Sequence, residues 1–194
     1  NCIYLDTGAM YRTVGLLAVR TNTDRHDDAA LAELLKNADI RVLRVDGSQH
    51  MALGGEDVEK LIRTPEISMA ASDVASCPSV RRALVGLQQK IAAGCDVVMD
   101  GRDIGTRVLP GADYKFFLTA SDKVRAQRRY DELKAKGESV TLQEVLEDVR
   151  RRDEQDTTRA ESPLTIADDA TEVETDDLGI DEVVTVLMAL MGRF

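Results

Sequence analysis

Short apolar runs alternate along the chain with longer amphipathic segments. The runs at 3–5, 95–99 and 114–118 have the length and the β-branched or aromatic content of strands, and a shorter one covers 171–175. The run at 95–99 is typical of a central parallel strand that is buried on both faces. Strands that alternate with helices predict an α/β protein with a parallel sheet and right-handed crossovers.

Helical spacing of apolar residues and strong end signals define the segments between the strands. Thr7 is a predicted N-cap, and Thr141 with Glu144 has the pattern of a capping box. We predict one helix after Thr7, one after Thr141, and others at about 28–37, 65–76, 78–93, 122–136 and 180–191. The last helix should pack through four apolar residues: Val183, Val184, Leu187 and Leu190.

The pattern changes between about 38 and 64. Residues 40–45 alternate in character and are rich in β-branched side chains, and a turn at Asp46-Gly47 separates them from the apolar run 51–53. This arrangement predicts a β-hairpin. Antiparallel strands between helices indicate a small insert and not a part of the parallel sheet.

Charge and glycine follow the predicted central strand at once, in the sequence Asp100-Gly101-Arg102-Asp103-Ile104-Gly105-Thr106. Open α/β sheets bind ligands at the carboxyl ends of their strands. Glycine also lets the backbone approach a ligand closely. From these residues alone, a polar loop with a local ion pair explains the stretch equally well.

The helix after Thr141 changes character along one face. Its apolar part consists of Leu142, Val145, Leu146 and Val149. The same face continues at helical spacing through Arg152, Asp156 and Arg159. Buried charge is costly unless it is paired or meets a ligand of opposite charge. This charged stripe, Arg152, Asp156 and Arg159, therefore predicts a cleft that binds an anion. An exposed helix end with an internal ion pair is the alternative.

Composition narrows the class of protein. The chain has 194 residues, enough for one domain with a substantial core. Its 25 Lys+Arg and 35 Asp+Glu give a formal charge of −10, which argues against nucleic acid or an anionic membrane as a partner. Three cysteines without C-x-x-C spacing argue against a disulfide framework or a zinc site. We expect a cytoplasmic monomer with no membrane span.

Arginines dominate the candidate chemistry. Five lie at predicted strand ends, at helix starts or on the charged stripe: Arg12, Arg81, Arg102, Arg152 and Arg159. Three more share part of one helix face: Arg125, Arg128 and Arg129. Guanidinium groups match phosphate oxygens, and both histidines lie in predicted turns, away from any nucleophile. The pattern favours a phosphoryl-transfer enzyme over one with a histidine-based mechanism, while solvated surface arginines remain the alternative for each position.

Four segments resemble bacterial cytidylate kinases. They are LDTGAMYR at 5–12, IRTP at 62–65, DGRDIGT at 100–106, and RDxxDxxR followed by PL within 152–164. They occur in order along the whole chain. The resemblance implies a parallel-sheet P-loop nucleoside monophosphate kinase fold with a small antiparallel β insert and a helical lid. It further implies a single kinase domain over 1–194, with an acceptor-binding insert at about 38–64 and a lid at about 122–160.

The resemblance also implies an activity, transfer of the γ-phosphoryl group of ATP to CMP or dCMP, and an acceptor site. The residues that match cytosine recognition are Ser72, Arg81 and Asp103. Those that match contacts to the acceptor monophosphate are Arg12, Arg102 and Arg152. Asp156 and Arg159 match contacts to the sugar, and Thr7 and Tyr11 match the pocket wall.

On the donor side, the resemblance implies ATP and Mg²⁺. Asp100 matches the position that organises the metal through water, without ligating it directly. The helix residues that match the lid over the donor are Arg125, Arg128 and Arg129. The residues expected to act directly in catalysis are Asp100, Arg102, Arg128 and Arg152.

One departure concerns the phosphate-binding loop of the family, G-x-x-x-x-G-K-[ST], since no segment of 1–194 has this pattern. The sequence opens on strand-like residues and without Met, so we expect the loop to precede Asn1 in the natural protein. Without it, we expect residues 1–194 to be inactive in phosphoryl transfer. Two other functions stay open: a non-catalytic fragment or paralogue that binds a pyrimidine monophosphate, and a kinase that prefers UMP.

Overall fold

The computed structural model describes residues 2–159 and 161–192. The strands are β1 (Cys2–Asp6), β2 (Ile40–Val45), β3 (Ser48–Leu53), β4 (Glu56–Asp57), β5 (Asp96–Asp100), β6 (Phe116–Thr119) and β7 (Thr171–Glu174). The α-helices are α1 (Thr7–Arg20), α2 (Asp28–Lys36), α3 (Pro65–Ala75), α4 (Pro78–Ala92), α5 (Asp122–Ala135), α6 (Leu142–Thr158) and α7 (Ile180–Leu190). A 3-10 turn covers Leu61–Arg63 and a π-helical turn covers Ile104–Val108. None of the described helices is long and apolar enough to span a membrane.

Parallel pairing joins strands that helices separate in the chain. Strand β1 pairs with β5, so that Asp6 lies opposite Asp100 at their carboxyl ends. Strand β6 pairs with β7 in the same sense. The segment between α2 and α3 forms a separate antiparallel sheet in the order β2-β3-β4. The predicted α/β class and the antiparallel insert are therefore confirmed.

Two apolar clusters of different size hold the elements together. The larger one contains β1, α1, α3, α4 and the inner face of the insert, with fully buried side chains such as Leu5, Met10, Val14 and Met51. The smaller one joins only α5 and α6, through Ala126, Leu133 and Val145. The site described below lies where these two parts of the chain meet.

Helices α1 and α3 cross at Gly15, where the helices come unusually close. A Cβ atom at Gly15 would lie 3.0 Å from the backbone nitrogen of Ala71 and 3.1 Å from the Cβ of Ala70. Backbone cannot yield as a flexible side chain can. Gly15 is therefore required by the close approach of the two helices.

We expect Gly15→Ala to lower the free energy of unfolding by about 1–3 kcal/mol, because the added methyl group overpacks the crossing. Gly86→Ala in α4 is the matched control, since nothing lies within 4 Å of a Cβ at that position. That variant should gain about 0.5–1 kcal/mol from the better helix propensity of alanine. Urea unfolding of both variants tests whether their changes in the free energy of unfolding have opposite signs. A Gly15→Ala protein that is more stable than the wild type would contradict the packing argument.

Several predicted details were wrong. The strand at β5 is not buried on both faces, since Val98 is 59% exposed and no described element covers it. Helix α7 has no buried residue, and Val184 and Leu190 are about half exposed for the same reason. Leu142 is exposed because it lies in the first turn of α6, beyond the cluster with α5. The N-cap of α1 is Asp6, not Thr7.

Candidate active site

The carboxyl ends of β1 and β5 are tied together by side chains. Asp6 caps α1, since its Oδ1 accepts a hydrogen bond from the backbone of Ala9 at 2.9 Å. The Thr7 hydroxyl instead donates to the backbone carbonyl of Asp100 at 2.7 Å. A Cβ at Gly101 would lie 2.6 Å from that hydroxyl oxygen, so only glycine fits. This edge is the one at which the sequence predicted a site.

A buried ion pair lies beside this edge. Arg81 from α4 bonds the carboxylate of Asp103, and the two side chains are only 2% and 6% exposed. Arg81 also donates to the carbonyl of Ala75 at 3.3 Å, and its guanidinium lies 5.6 Å from the ring centre of Tyr11. A charge pair this deeply buried is held by many contacts, and the sequence predicted all three of Tyr11, Arg81 and Asp103 as site residues.

The charged stripe of α6 points inward at its carboxyl end. The carboxylate of Asp156 accepts from Arg159 Nη1 at 2.8 Å and from Arg102 Nε at 3.0 Å. Arg159 follows the last helical residue, donates to the carbonyl of Ser162 at 2.7 Å, and has a side chain that is 8% exposed. Asp156 thus connects the loop after β5 to the end of α6.

Two arginines without a carboxylate partner lie in this part of the described chain. Arg12 and Arg152 are both more than half buried, and burial is the main cause that lowers the pKa of each guanidinium. Among nearby charges, Arg63 and Arg129 lower the pKa of Arg12 further, whereas Asp6 raises it. Asp148 raises the pKa of Arg152, and Arg129 lowers it. Among the described residues, neither Arg12 nor Arg152 forms an ion pair with a carboxylate. The cluster is therefore suited to an anion.

Buried polar atoms without partners concentrate on the same residues. Within 2–159 and 161–192, such atoms are found on Tyr11 (Oη), Arg81 (Nε), Arg152 (Nε), Arg159 (Nη2) and both amide atoms of Gln88. A buried polar atom without a partner costs about 1–3 kcal/mol. Four of these five residues were predicted site residues, so the unsatisfied donors mark the place where a ligand would make hydrogen bonds.

Ser72 lies across a cleft from the arginine cluster. A cavity of about 220 Å³ separates α3, which carries Ser72, from α6, which carries Arg152. The Ser72 hydroxyl itself contacts only the carbonyl of Ser68, at 3.5 Å, among the described residues. Ser72 and Arg152 therefore line the same cavity from two sides.

Two of the three predicted lid arginines bind other parts of the protein. Arg125 forms a fork-shaped pair with the carboxylate of Asp153 at 2.8 and 2.7 Å, which joins α5 to α6. Arg128 donates to the hydroxyl of Thr175 at 3.2 Å and to the carbonyl of Leu178 at 3.1 Å, which joins α5 to the loop before α7. The structure does not bring either guanidinium together with the acceptor-side arginines.

Arg129 is placed differently. It bonds Glu132 on its own helix at 2.7 Å, and its charge also acts on Arg12 and Arg152. Of the three predicted lid arginines, Arg129 is therefore the one that the described structure associates with the arginine cluster.

Asp100 has the environment of a carboxylate that is partly withdrawn from water. Burial raises its pKa above the usual range, and the charge of Asp6 adds to the shift, while a hydrogen bond from the Tyr4 hydroxyl opposes it. No group of three or more acidic, histidine or cysteine residues in the described chain could hold a metal. Mg²⁺ usually retains several waters and takes one or two carboxylates together with substrate phosphates. Asp100 alone fits such a contact through water, because the Asp6 carboxylate is already engaged.

Sequence reasoning missed two residues at this edge, Gln49 and Arg63, and the buried Gln88 of α4. Gln49 binds the backbone of Asp6, Arg63 binds its carboxylate, and Gln88 is buried without a partner. Arg63 lies in one of the quoted motifs but was assigned no role. A glutamine in a hairpin or on a helix carries no signal of its own, so Gln49 and Gln88 could not have been found from the pattern.

The parallel α/β fold, the antiparallel insert and the partly unpartnered arginines of α4 and α6 fit a nucleoside monophosphate kinase, and the family match places the chain in that class. The family model described as cytidylate kinase matches residues 1–193. The cytidylate kinase of Caldicellulosiruptor bescii is 47% identical over 191 residues, which cover 98% of this chain and 84% of that one. Those of Carboxydothermus hydrogenoformans and Bacillus subtilis are 48% and 47% identical and cover 98% and 93% of this chain and 86% and 81% of their own. The chain belongs to the cytidylate kinase family.

Proposed function

We propose that the protein transfers the γ-phosphoryl group of ATP to CMP or dCMP and so forms the nucleoside diphosphate. The observation that carries this proposal is the set of buried, unpartnered polar atoms on Tyr11, Arg81, Arg152 and Arg159. Each belongs to a residue that the family resemblance assigns to the acceptor nucleotide. Membership of the family supports the same substrate class.

The base would be recognised by Arg81, Asp103 and Ser72. A carboxylate and a hydroxyl can accept hydrogen bonds from the amino group of cytosine, and the free Nε of Arg81 can donate to an acceptor of the ring. Uracil presents a carbonyl where cytosine has its amino group, so the Asp103 carboxylate would repel it. Tyr11 and Thr7 would form the adjoining wall.

The monophosphate would be held by Arg12, Arg102 and Arg152. The lack of a carboxylate partner at Arg12 and Arg152 supports this role, because a dianionic phosphate would supply their counter-charge. Arg102 would have to share its guanidinium between the phosphate and Asp156. Asp156 and Arg159 would contact the sugar, where a carboxylate can accept from a hydroxyl group. The insert at about 38–64 would belong to the acceptor-binding part of a single kinase domain over 1–194.

Catalysis would come from positioning and from charge neutralisation. The nucleophile is an oxygen of the acceptor phosphate, which is already ionised and needs no strong base. Mg²⁺, when bound with the donor, neutralises charge on the transferred phosphoryl group, and Asp100 would orient its water shell. Arg102, Arg152 and Arg128 would stabilise the developing charge.

The lid at about 122–160 would have to rearrange on the donor side. Arg125 and Arg128 now bind Asp153, Thr175 and Leu178, so contact with donor phosphates requires exchange of these bonds. Arg129, which already lies near the arginine cluster, would need a smaller change. Such exchange is typical of lids that close over bound substrates and exclude water.

A coupled assay with ATP, Mg²⁺ and either CMP or UMP tests the proposal on the natural protein. We expect turnover with both CMP and dCMP and a kcat/KM for CMP at least about tenfold above that for UMP, because the site hydrogen-bonds the amino group. The same assay on residues 1–194 alone should show no transfer, whereas calorimetry should still show CMP binding. Binding without turnover by the natural protein would overturn the kinase and leave a pyrimidine-monophosphate-binding protein. A higher kcat/KM for UMP would identify a UMP-preferring kinase.

A further inference from the structure

Gln49 of the insert binds the backbone of the residue that begins α1. Its side-chain Oε1 accepts from the backbone nitrogen of Asp6 at 2.7 Å, and its Nε2 donates to the backbone carbonyl of Asp6 at 3.1 Å. The two residues are 43 positions apart in the chain. One side-chain amide thus satisfies both backbone groups of Asp6, in the way that a neighbouring strand would.

The side chain of Asp6 is held as firmly as its backbone. Oδ1 accepts from Ala9 at 2.9 Å and caps the helix, and Oδ2 accepts from Arg63 Nη1 at 2.9 Å. Arg63 is fixed in turn by Glu59, to which its Nε donates at 2.8 Å. All four polar groups of Asp6 therefore have partners, and three of the four bonds come from residues of the insert.

This attachment lies next to the proposed acceptor wall. Asp6 is followed directly by Thr7, which reaches across to Asp100, and the next turn of α1 carries Tyr11 and Arg12. A displacement of the first turn by about 1 Å would move all three side chains, and a shift of that size can cost about 100-fold in rate. Gln49 lies on β3 and touches none of the atoms assigned to substrate binding.

We propose that Gln49 is a positioning residue for the acceptor nucleotide, which acts through Asp6 by fixing the first turn of α1 against the insert. Arg63 completes the same attachment, but its charge also acts on Arg12. The uncharged Gln49 is the cleaner test, since its replacement changes no charge near the phosphate site. This inference rests on the proposed kinase function.

The experiment compares Gln49→Ala and Gln49→Met with His50→Ala. His50 is the next residue of β3, and its ring contacts Asp57 at 2.7 Å, so this variant alters the insert without touching Asp6. We expect both Gln49 variants to raise the KM for CMP about tenfold or more while the KM for ATP stays within about twofold. Gln49→Met keeps a side chain of similar length without charge but can neither accept from the Asp6 nitrogen nor donate to the Asp6 carbonyl, so it should be impaired as well. His50→Ala should match the wild type in both values.

The Kd for CMP is measured by calorimetry under conditions in which circular dichroism shows each variant to be fully folded. A change in this Kd then reflects the position of the binding residues and not a loss of folded protein. A Gln49→Ala protein that binds CMP as the wild type does, or that loses affinity for CMP and ATP equally, would overturn the inference. If the wild type itself fails to phosphorylate CMP, the proposed function fails. The change in Kd for CMP would then still decide whether Gln49 positions a nucleotide-binding wall.

Discussion

Asp103→Asn should lower the free energy of unfolding by about 3–5 kcal/mol and remove most of the preference for CMP over UMP. The carboxylate of Asp103 is the sole acidic partner of Arg81 among the described residues, and both side chains are almost fully buried. Loss of its charge leaves a buried guanidinium without a counter-ion. The amide that replaces it can also donate to the carbonyl that uracil carries in place of the amino group.

The stability effect has a matched control in Glu56→Gln. Glu56 forms a similar two-bond contact with Arg20, at 2.6 and 3.0 Å, but both side chains are exposed to solvent. Because exposed ion pairs contribute little, urea unfolding should show only a small change for this variant. An Asp103→Asn protein as stable as the control would show that the buried pair is not required for folding.

A double variant, Arg81→Met with Asp103→Leu, separates folding from recognition. Replacement of a buried ion pair by apolar residues of similar size is often neutral or stabilising, so the double variant should recover most of the lost free energy of unfolding. It should not recover the use of CMP, because neither new side chain can hydrogen-bond the base.

Asp103 would be excluded from base recognition if Asp103→Asn kept the wild-type ratio of kcat/KM for CMP to kcat/KM for UMP.

Unlike Asp103→Asn, Arg152→Ala should lose much of its activity without losing stability. Contacts to charge that develops in the transition state are worth about 3–4 kcal/mol, which corresponds to roughly 100- to 1,000-fold in kcat/KM for CMP. The guanidinium has no carboxylate partner in the described structure, and the nearby Arg129 opposes its charge. Because burial disfavours this unpaired charge, and the attraction of Asp148 works against the repulsion of Arg129, the free energy of unfolding should change little.

Arg150→Ala is the control on the same helix. The Nε of Arg150 donates to Asp122 at 2.7 Å across the α5–α6 pair, and the side chain is 56% exposed. We expect a slight loss of stability and unchanged steady-state kinetics for this variant. A fall in stability of Arg152→Ala, with normal turnover per folded molecule, would assign Arg152 to structure instead of phosphate binding.

Local signals in the sequence predicted the helices well. The capping box at Thr141 and Glu144 is observed, because its hydrogen bonds lie within a few residues of one another. The cap of α1 is one residue earlier than predicted, at Asp6. Burial was predicted less well. Val98 and Val184 are exposed, although their pattern is that of core residues, since burial depends on which distant element covers a face.

In the candidate site, too, local features were predicted and contacts between distant residues were not. The inward position of Arg159 and Asp156 was predictable, because helical spacing continues an apolar face into them. The Arg128 contacts with Thr175 and Leu178 were not, because they join residues about 50 positions apart. Whether Arg128 also serves the donor remains a prediction.

The separate small core of α5 and α6 has a consequence for local unfolding. Among the described residues, the buried apolar core of this helix pair consists of Ala126, Leu133 and Val145, with four partly buried side chains packed against them. The other links between α5 and α6 are half-exposed ion pairs such as Arg125–Asp153. Helices α1 and α3, by contrast, pack against each other at the Gly15 crossing and within the large cluster. Amide hydrogens of α5 and α6 should therefore exchange with solvent through local unfolding that costs little free energy. Those of α1 and α3 should exchange only when the whole protein unfolds. We therefore expect α5 and α6, the proposed lid, to open as a cooperative unit of their own while α1 and α3 stay folded.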